Sequence, residues 1–495
     1  MHNANSLGNT LRNSDDSAGE GWDALTKMQW IGSSENPVNI SQENSQIMHS
    51  NRNKNITQDK SNQEKITLAE TYHATENPLT DELIGGAIKA RIAAAEHGEV
   101  HPDSGSMYRF LTIDKAKGET EPNLEDKAKF HKKLFHAWRE NLAKITSDEY
   151  QEMLRSGSVG IDFAQMRKFV LSFPDAKYPG QLKKLAEQNG REDLSDLINK
   201  YCYDHVSKDG WEYITSYKLN GCQKRDIDGR HIGHRLYLNI PNNKLYQVAD
   251  KIVDAFQEKN LPFEFKFDDS NQTRRESIVF YCETEQLTDN IQVLRELKKN
   301  NPALFGTIED PPIATGKIDN WIGYGSEPEN TGKESFNTLR SKALWKGITD
   351  TTADWVNKNK NVKNKDGISI KEIIAHQAIT DKKAQLHSNS KVQNHEKLQA
   401  DILANFDDAL AVIREDSTSI KSQTMSDEKI GAIWKVQYHD LANTIVKFIP
   451  AIEKINPDFH QQCKQNILEA CGKYGIHRQN FAYDEWALQE MVKST

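Results

Sequence analysis

The sequence predicts an α+β protein, a small mixed sheet covered by helices, flanked by helical lobes and preceded by a disordered N-terminal tail. Three observations lead there. Between residues 235 and 297 the apolar residues switch between period two and the helical period, in the order strand, helix, strand, strand, helix. On both sides of that stretch the apolar spacing is helical. The first 65 residues are rich in Asn, Ser, Gln and charged side chains, with few apolar ones.

Taking the elements in order, residues 1–65 carry only isolated apolar positions such as Trp22, Leu25, Met28 and Trp30. These are too few to offset an ordering entropy of about 1 to 2 kcal/mol per residue. The segment reads as a disordered leader, which is either a plain floppy terminus or an export and chaperone-binding tail with Trp22 to Trp30 as a docking peptide. Residues 66–215 read as a helical lobe. Phe130, Leu134, Phe135, Trp138 and Leu142 recur at helical spacing in Asp126 to Ile145, and Leu185, Leu194, Leu197 and Ile198 continue the pattern after Pro179.

The α+β core is expected over residues 216–350. From Arg235 to Ile240, Leu236, Leu238 and Ile240 alternate with Arg235, Tyr237 and Asn239, which predicts a half-buried strand with a chemically equipped outer face. Pro241 and Asn242 stop it. Leu245, Val248, Ala249, Ile252, Val253 and Phe256 then form one helical stripe ending near Asn260 and Pro262. Phe263, Phe265 and Phe267 alternate with Glu264 and Lys266 in a second strand, a polar turn follows, and Glu276 to Cys282 reads as a third. Leu287, Ile291, Leu294 and Leu297 mark a helix before Pro302. The stretch holding Gly316, Gly323, Gly325 and Gly332 follows neither period and is expected to be a functional loop on a scaffold, leading into a helix from Ser335 to Trp345. Residues 351–495 read as a C-terminal helical region.

Composition removes several function classes. The chain has 495 residues, with 64 Lys plus Arg against 72 Asp plus Glu, a formal net charge of -8. No global basic field exists to hold nucleic acid. Cys202, Cys222, Cys282, Cys463 and Cys471 are odd in number and free of CxxC pairs, which points to reduced thiols rather than a disulfide or zinc framework. Neither a secretory signal peptide nor a membrane span is expected, since no apolar run reaches about 18 residues. That suits a cytosolic protein and equally one exported unfolded through a needle-type apparatus. His131 and His136 are five apart, off the spacing that puts two imidazoles on one helix face. His231-x-x-His234 has a metal-site gap but sits in a Gly-flanked turn with no evident third ligand.

Three segments resemble the HopA (Hrp outer protein A) family of type III effectors and the related lyase components of one lanthipeptide class. They are Arg235-Leu-Tyr-Leu-Asn-Ile; the pair Pro262-Phe-Glu-Phe-Lys266 and Arg274-Arg-Glu-Ser-Ile-Val-Phe-Tyr281; and Gly325-Ser-Glu-Pro328 through Glu334-Ser-Phe-Asn-Thr-Leu-Arg340. A later segment, Lys473-Tyr-Gly-Ile-His, is similar to the family's end. The resemblance implies a virulence effector held in the bacterial cytoplasm before export and delivered to the host cell cytoplasm. Its partners would be a secretion chaperone at the N-terminal region and a host or bacterial protein target. It further implies a distant likeness to bacterial phosphothreonine lyases, which eliminate phosphate from phosphorylated Ser or Thr. By position, Lys266 matches the family's strand lysine, Arg274 the arginine ahead of the third strand, and Arg340 the arginine closing the Ser-Phe loop. The lyases' Lys-x-His place holds Arg235 and Tyr237, so their usual general acid is absent.

The chemistry such an enzyme needs is a base near the Cα proton, cations to neutralise phosphate, and help for the leaving oxygen. Lys266, on the polar face of its strand, is the candidate base and Tyr237 the candidate proton donor. Arg274 and Arg340 would clamp phosphate oxygens, with Arg235 as a third cation. No metal or cofactor is called for. The plainer reading makes Lys266 a solvated edge charge and Arg274-Arg275, beside Asp268-Asp269, a surface hairpin. The corresponding functional alternative is a non-catalytic effector that binds a host or bacterial protein.

Overall fold

The structure is a computed structural model that describes residues 79–102, 105–113, 121–202, 210–216, 233–270, 274–305, 310–319, 321–326, 334–385, 395–404, 406–415, 440–484 and 486–487. The expected leader, Cys222, His231 and Gly332 lie outside them. By contact density the described residues form two units, one from residues 65–94, 101–348 and 463–495, the other from 95–100 and 349–462.

In chain order the elements begin with α1 (Asp81–Glu96), α2 (Ser106–Thr112), α3 (Leu124–Lys144), α4 (Ser147–Arg155), α5 (Phe163–Ser172), α6 (Pro179–Gln188) and α7 (Glu192–Tyr201). Then come β1 (Trp211–Thr215), β2 (His234–Leu238), α8 (Leu245–Glu258), β3 (Glu264–Asp268), β4 (Ile278–Cys282), α9 (Leu287–Asn300), α10 (Pro302–Phe305), β5 (Gly316–Ile318), β6 (Ile322–Ser326) and α11 (Phe336–Asn359). The chain continues through α12 (Ile370–Gln385), α13 (His395–Ala404), α14 (Phe406–Glu415), α15 (Ile449–Ile455) and α16 (Phe459–Lys473). The α+β class is therefore observed.

The helices form where their sequence provides both a cap and a stripe. Asn123 caps α3, its side-chain oxygen accepting from the amides of Glu125 at 3.0 Å and Asp126 at 3.2 Å. Phe130, Leu134, Phe135, Trp138 and Leu142 are its buried face. In α8 the buried set includes Leu245, Val248, Ala249, Ile252, Val253 and Phe256, the stripe read from the sequence. Thr146 and Glu149 close α4 with a reciprocal capping box.

The six strands are ordered β1-β3-β4-β2-β6-β5, and every pairing is antiparallel. Because β4 pairs with both β2 and β3, those two run parallel with β4 inserted between them. Alternation then separates two faces. One carries Phe265 and Phe267 of β3, Ile278 and Phe280 of β4, Leu236 and Leu238 of β2, and Ile322 and Tyr324 of β6, all in the hydrophobic core. Phe267 packs edge-on against Phe130 of α3 and Tyr246 of α8, with ring centroids 6.0 and 5.3 Å apart. Each buried phenyl of this kind contributes roughly 1.5–3 kcal/mol of transfer free energy. The register places Tyr213, Lys266, Val279, Tyr237 and Gly323 in one row on the other face.

Two features depart from the sequence reading. β1 had not been foreseen; it pairs with the whole of β3 and brings Trp211 beside Asp268. The Gly-rich stretch contributes a hairpin, β5–β6, rather than only a loop. In Ile322-Gly-Tyr-Gly-Ser326 the period-two alternation is present, but glycines occupy one face. A Cβ at Gly325 would lie 2.5 Å from the Phe336 ring, and one at Gly323 would lie 2.8 Å from Pro311 and Thr315. Close packing on that face excludes side chains, which hides the strand period from sequence reading.

In the smaller unit α12 packs on α13 and α13 on α14. Ser369 donates its hydroxyl to Glu372 at 2.6 Å to start α12, and Lys447 pairs with Asp381 at 2.7 Å.

Candidate functional site

The polar sheet face gathers cations and aromatic rings in alternation. Lys266, central in β3, is flanked by the larger rings of its neighbours because cross-strand partners share a face. Its Nζ lies 4.2 Å from the Trp211 ring centroid, 5.7 Å from that of Tyr213 and 6.0 Å from that of Tyr281. The Arg274 guanidinium lies 5.2 Å from the Trp211 ring, and that of Arg235 lies 5.0 Å from the Tyr281 ring. Trp211 is thus shared by Lys266 and Arg274, and Tyr281 by Lys266 and Arg235. Three candidate residues from three segments converge.

Two carboxylates sit in this cluster. Arg274 Nε pairs with Asp268 Oδ2 at 3.1 Å, and its Nη1 lies 3.6 Å from Glu276 Oε1. Glu276 is buried and accepts a 2.7 Å hydrogen bond from the Asn337 amide at the start of α11. Burial pushes its carboxyl above the ordinary range, against the pull of Lys266, Arg274 and Arg235 and with help from Asp268. Burial also raises Asp268, opposed first by its hydrogen bonds from Ser270. From α2, Tyr108 joins the same group. Glu276 and burial hold its hydroxyl well above the usual phenol range, while Arg274, Arg235 and a hydrogen bond with Ser335 oppose them. The end of α2 is tied down here, since the Arg275 amide donates to the Thr112 carbonyl at 2.8 Å.

The other two candidates are placed differently. Tyr237 shares the row of Lys266 but lies two strands away, about 10 Å by strand spacing. It is 1% exposed, beneath the Phe336 ring at 5.8 Å. The outer face of β2 is therefore covered rather than open: Asn239 is buried as well, its amide donating to the Asp310 carbonyl at 2.7 Å. The cause is that Phe336 of α11 and the segment around Asp310 lie over this part of the face. Arg340 is fully buried. Its Nη1 pairs with Asp484 at 2.9 Å, its Nε donates to the Phe481 carbonyl at 3.0 Å, and its guanidinium stacks 3.9 Å from the Phe336 ring. It braces the segment around Asp484 instead of joining Lys266 and Arg274.

Sequence reasoning missed Trp211, Tyr108, Glu276 and Asn337. Trp211-Glu-Tyr-Ile-Thr215, following Gly210, has strand composition and could have been found that way. Nothing local marks Tyr108, Glu276 or Asn337, whose significance comes from distant partners. The remaining metal candidates have ordinary partners. His131 Nε2 is 2.8 Å from Glu212, and buried His234 is 2.7 Å from the Tyr324 hydroxyl and 3.2 Å from Thr284. Among the described residues no group of three or more His, Cys, Asp or Glu is arranged to hold a metal, and no helix is long and apolar enough to cross a membrane. Cys202, Cys282, Cys463 and Cys471 are buried, and the Cys282 sulfur accepts from the Asn290 side-chain amide at 3.0 Å.

These features define an α+β protein with a cation-rich, aromatic-walled site on one sheet face. Residues 216–379 match the model of the HopA1 effector protein family, a stretch that runs from just beyond β1 into α12 and includes β2 to β6. The resemblance read from the strand and loop motifs is thus found: this stretch is similar to the HopA1 effector protein family. Among solved structures, that of the effector protein from Pseudomonas syringae pv. syringae strain 61 matches at 14% identity, covering 54% of this chain and 88% of its own, with a TM-score of 0.29. No curated protein matches.

Proposed function

We propose that this chain is an exported bacterial effector that acts inside a host cell and recognises a phosphorylated Ser or Thr side chain of a protein target at Arg235, Lys266 and Arg274. The effector reading rests on the family match over residues 216–379. The phosphate reading rests on one observation: these three cations, from β2, β3 and the segment before β4, meet across the rings of Trp211 and Tyr281. Asp268 and Glu276 offset part of the repulsion among these like charges, and an anion seated among them adds to that compensation. The aromatic rings add apolar surface for the peptide around the phosphate.

A phosphothreonine-lyase-like step would transfer the Cα proton to neutral Lys266 Nζ, form the Cα–Cβ double bond and expel phosphate with the electrons of the C–O bond. Tyr237, the proton donor expected from the sequence, lies under Phe336. That observation favours the second reading, a protein-binding effector that reads phosphate without eliminating it. Titration calorimetry separates the possibilities. A phosphothreonine peptide should bind more tightly than its unphosphorylated form, and Arg274→Ala or Arg235→Ala should each remove about tenfold or more of that preference, as charge-assisted hydrogen bonds are lost. Equal affinity for the two peptides refutes the phosphate reading. A product lighter by one phosphoric acid in mass spectrometry, absent with Lys266→Ala, would establish elimination.

A further inference from the structure

We infer that Glu276 is the internal counter-ion of this site, yielding its place among Arg235, Lys266 and Arg274 to a tetrahedral dianion and taking up one proton as the ligand enters. The inference rests on the anion-binding reading above and specifies the ligand class, a doubly charged phosphate-like group in preference to a singly charged carboxylate or ester.

The argument begins with position. Glu276 is buried at the point where the cations meet, 3.6 Å from Arg274 and held by the Asn337 amide at 2.7 Å. The titratable groups acting on it come from each neighbouring element: Lys266 and Asp268 from β3, Arg235 from β2, Arg274 from the segment before β4, and Tyr108 from α2. The balance of charge follows from that set. Each carboxyl that is ionised competes with an entering anion for these cations, and a dianion is opposed by it more strongly than a monoanion. A dianion is therefore matched best when one carboxyl becomes neutral. Glu276 is the group placed to do so: it lies 3.6 Å from Arg274 and burial favours its neutral form, whereas hydrogen bonds from Ser270 hold Asp268 toward its ionised form. Neutral Glu276 keeps its carbonyl oxygen as an acceptor for Asn337 while freeing Arg274 for the ligand. Binding then carries a proton from solvent to the Glu276 carboxylate, and no other bond changes.

Sulfate is a suitable probe, being a tetrahedral dianion that does not titrate near neutral pH, and methyl sulfate is its monoanionic partner. Calorimetry at about pH 7.5 in two buffers of different ionisation enthalpy counts the protons exchanged. Sulfate binding to the full chain should take up close to one proton, and methyl sulfate binding clearly fewer. Glu276→Gln, which keeps the shape and an acceptor for Asn337, should abolish the uptake and bind sulfate roughly tenfold more tightly, as one competing charge is removed. Sulfate binding without proton uptake in the natural protein overturns the counter-ion inference while leaving the anion site standing, and it does so even if the variant fails to fold. Loss of the uptake in Asp268→Asn but not in Glu276→Gln overturns it also. No sulfate or phosphopeptide binding by the folded natural protein removes the anion site itself.

Discussion

At Glu276 the cost of burial outweighs the attraction of three cations, and this has a thermodynamic signature of its own. A carboxyl whose folded value exceeds its unfolded value stabilises the fold through its protonated form. That contribution is complete below the ordinary value near 4.5 and is lost as pH rises through the folded value. Glu276→Gln should therefore gain stability relative to the natural protein as pH is raised from about 5 to about 8, read from urea midpoints. An offset independent of pH would show that burial does not raise the Glu276 carboxyl. The thiol of Cys282, pushed up to about 12 by burial, belongs to the same physics and leaves no thiolate at neutral pH. Lys266 was legible in the sequence, because strict alternation with Phe265 and Phe267 fixes its face. Arg340 was not. Its carbonyl partner Phe481 lies 141 residues away, and no local pattern distinguishes an arginine aimed at a ligand from one aimed at a distant carboxylate.

Among the elements, α3, α8 and α9 were readable because each displays one apolar stripe, and β2 to β4 because each alternates. β6 escaped for a physical reason: alternation is visible only when both faces carry side chains, and Gly323 and Gly325 leave one face bare. The bare face has a purpose in packing, since it lets Phe336 lie against the strand and over Tyr237. Gly325→Ala should therefore push Phe336 outward, costing about 1–3 kcal/mol by overpacking and weakening the hold of Asn337 on Glu276. Denaturant unfolding together with phosphopeptide affinity measures both effects. Unchanged stability would mean that the first turn of α11 adapts freely. The covered face of β2 teaches the complementary lesson. Alternation distinguished apolar from polar residues correctly, yet a strand covered on both faces buries both, as at Tyr237 and Asn239.

For the whole molecule, the sequence reading makes residues 1–65 a disordered export and chaperone-binding leader without periodic apolar residues, so deleting them should leave the cooperative thermal transition essentially in place while impairing export. A loss of most of the transition would place part of the core in that segment. The sheet depends instead on a late part of the chain. The Ser326 amide donates to the Ala482 carbonyl at 3.1 Å, the Asp484 amide to the Ser326 hydroxyl at 2.6 Å, and the Tyr324 and Tyr483 rings lie 4.8 Å apart. During synthesis those partners are made at widely separated times. At about 5–20 residues per second, β6 waits on the order of ten seconds or more for residues 482–484 to emerge from the ribosome. Until then Tyr324 lacks the Tyr483 ring and Arg340 the Asp484 carboxylate, so the nascent chain cannot close its core, which leaves an interval in which a chaperone can engage it before the fold is complete.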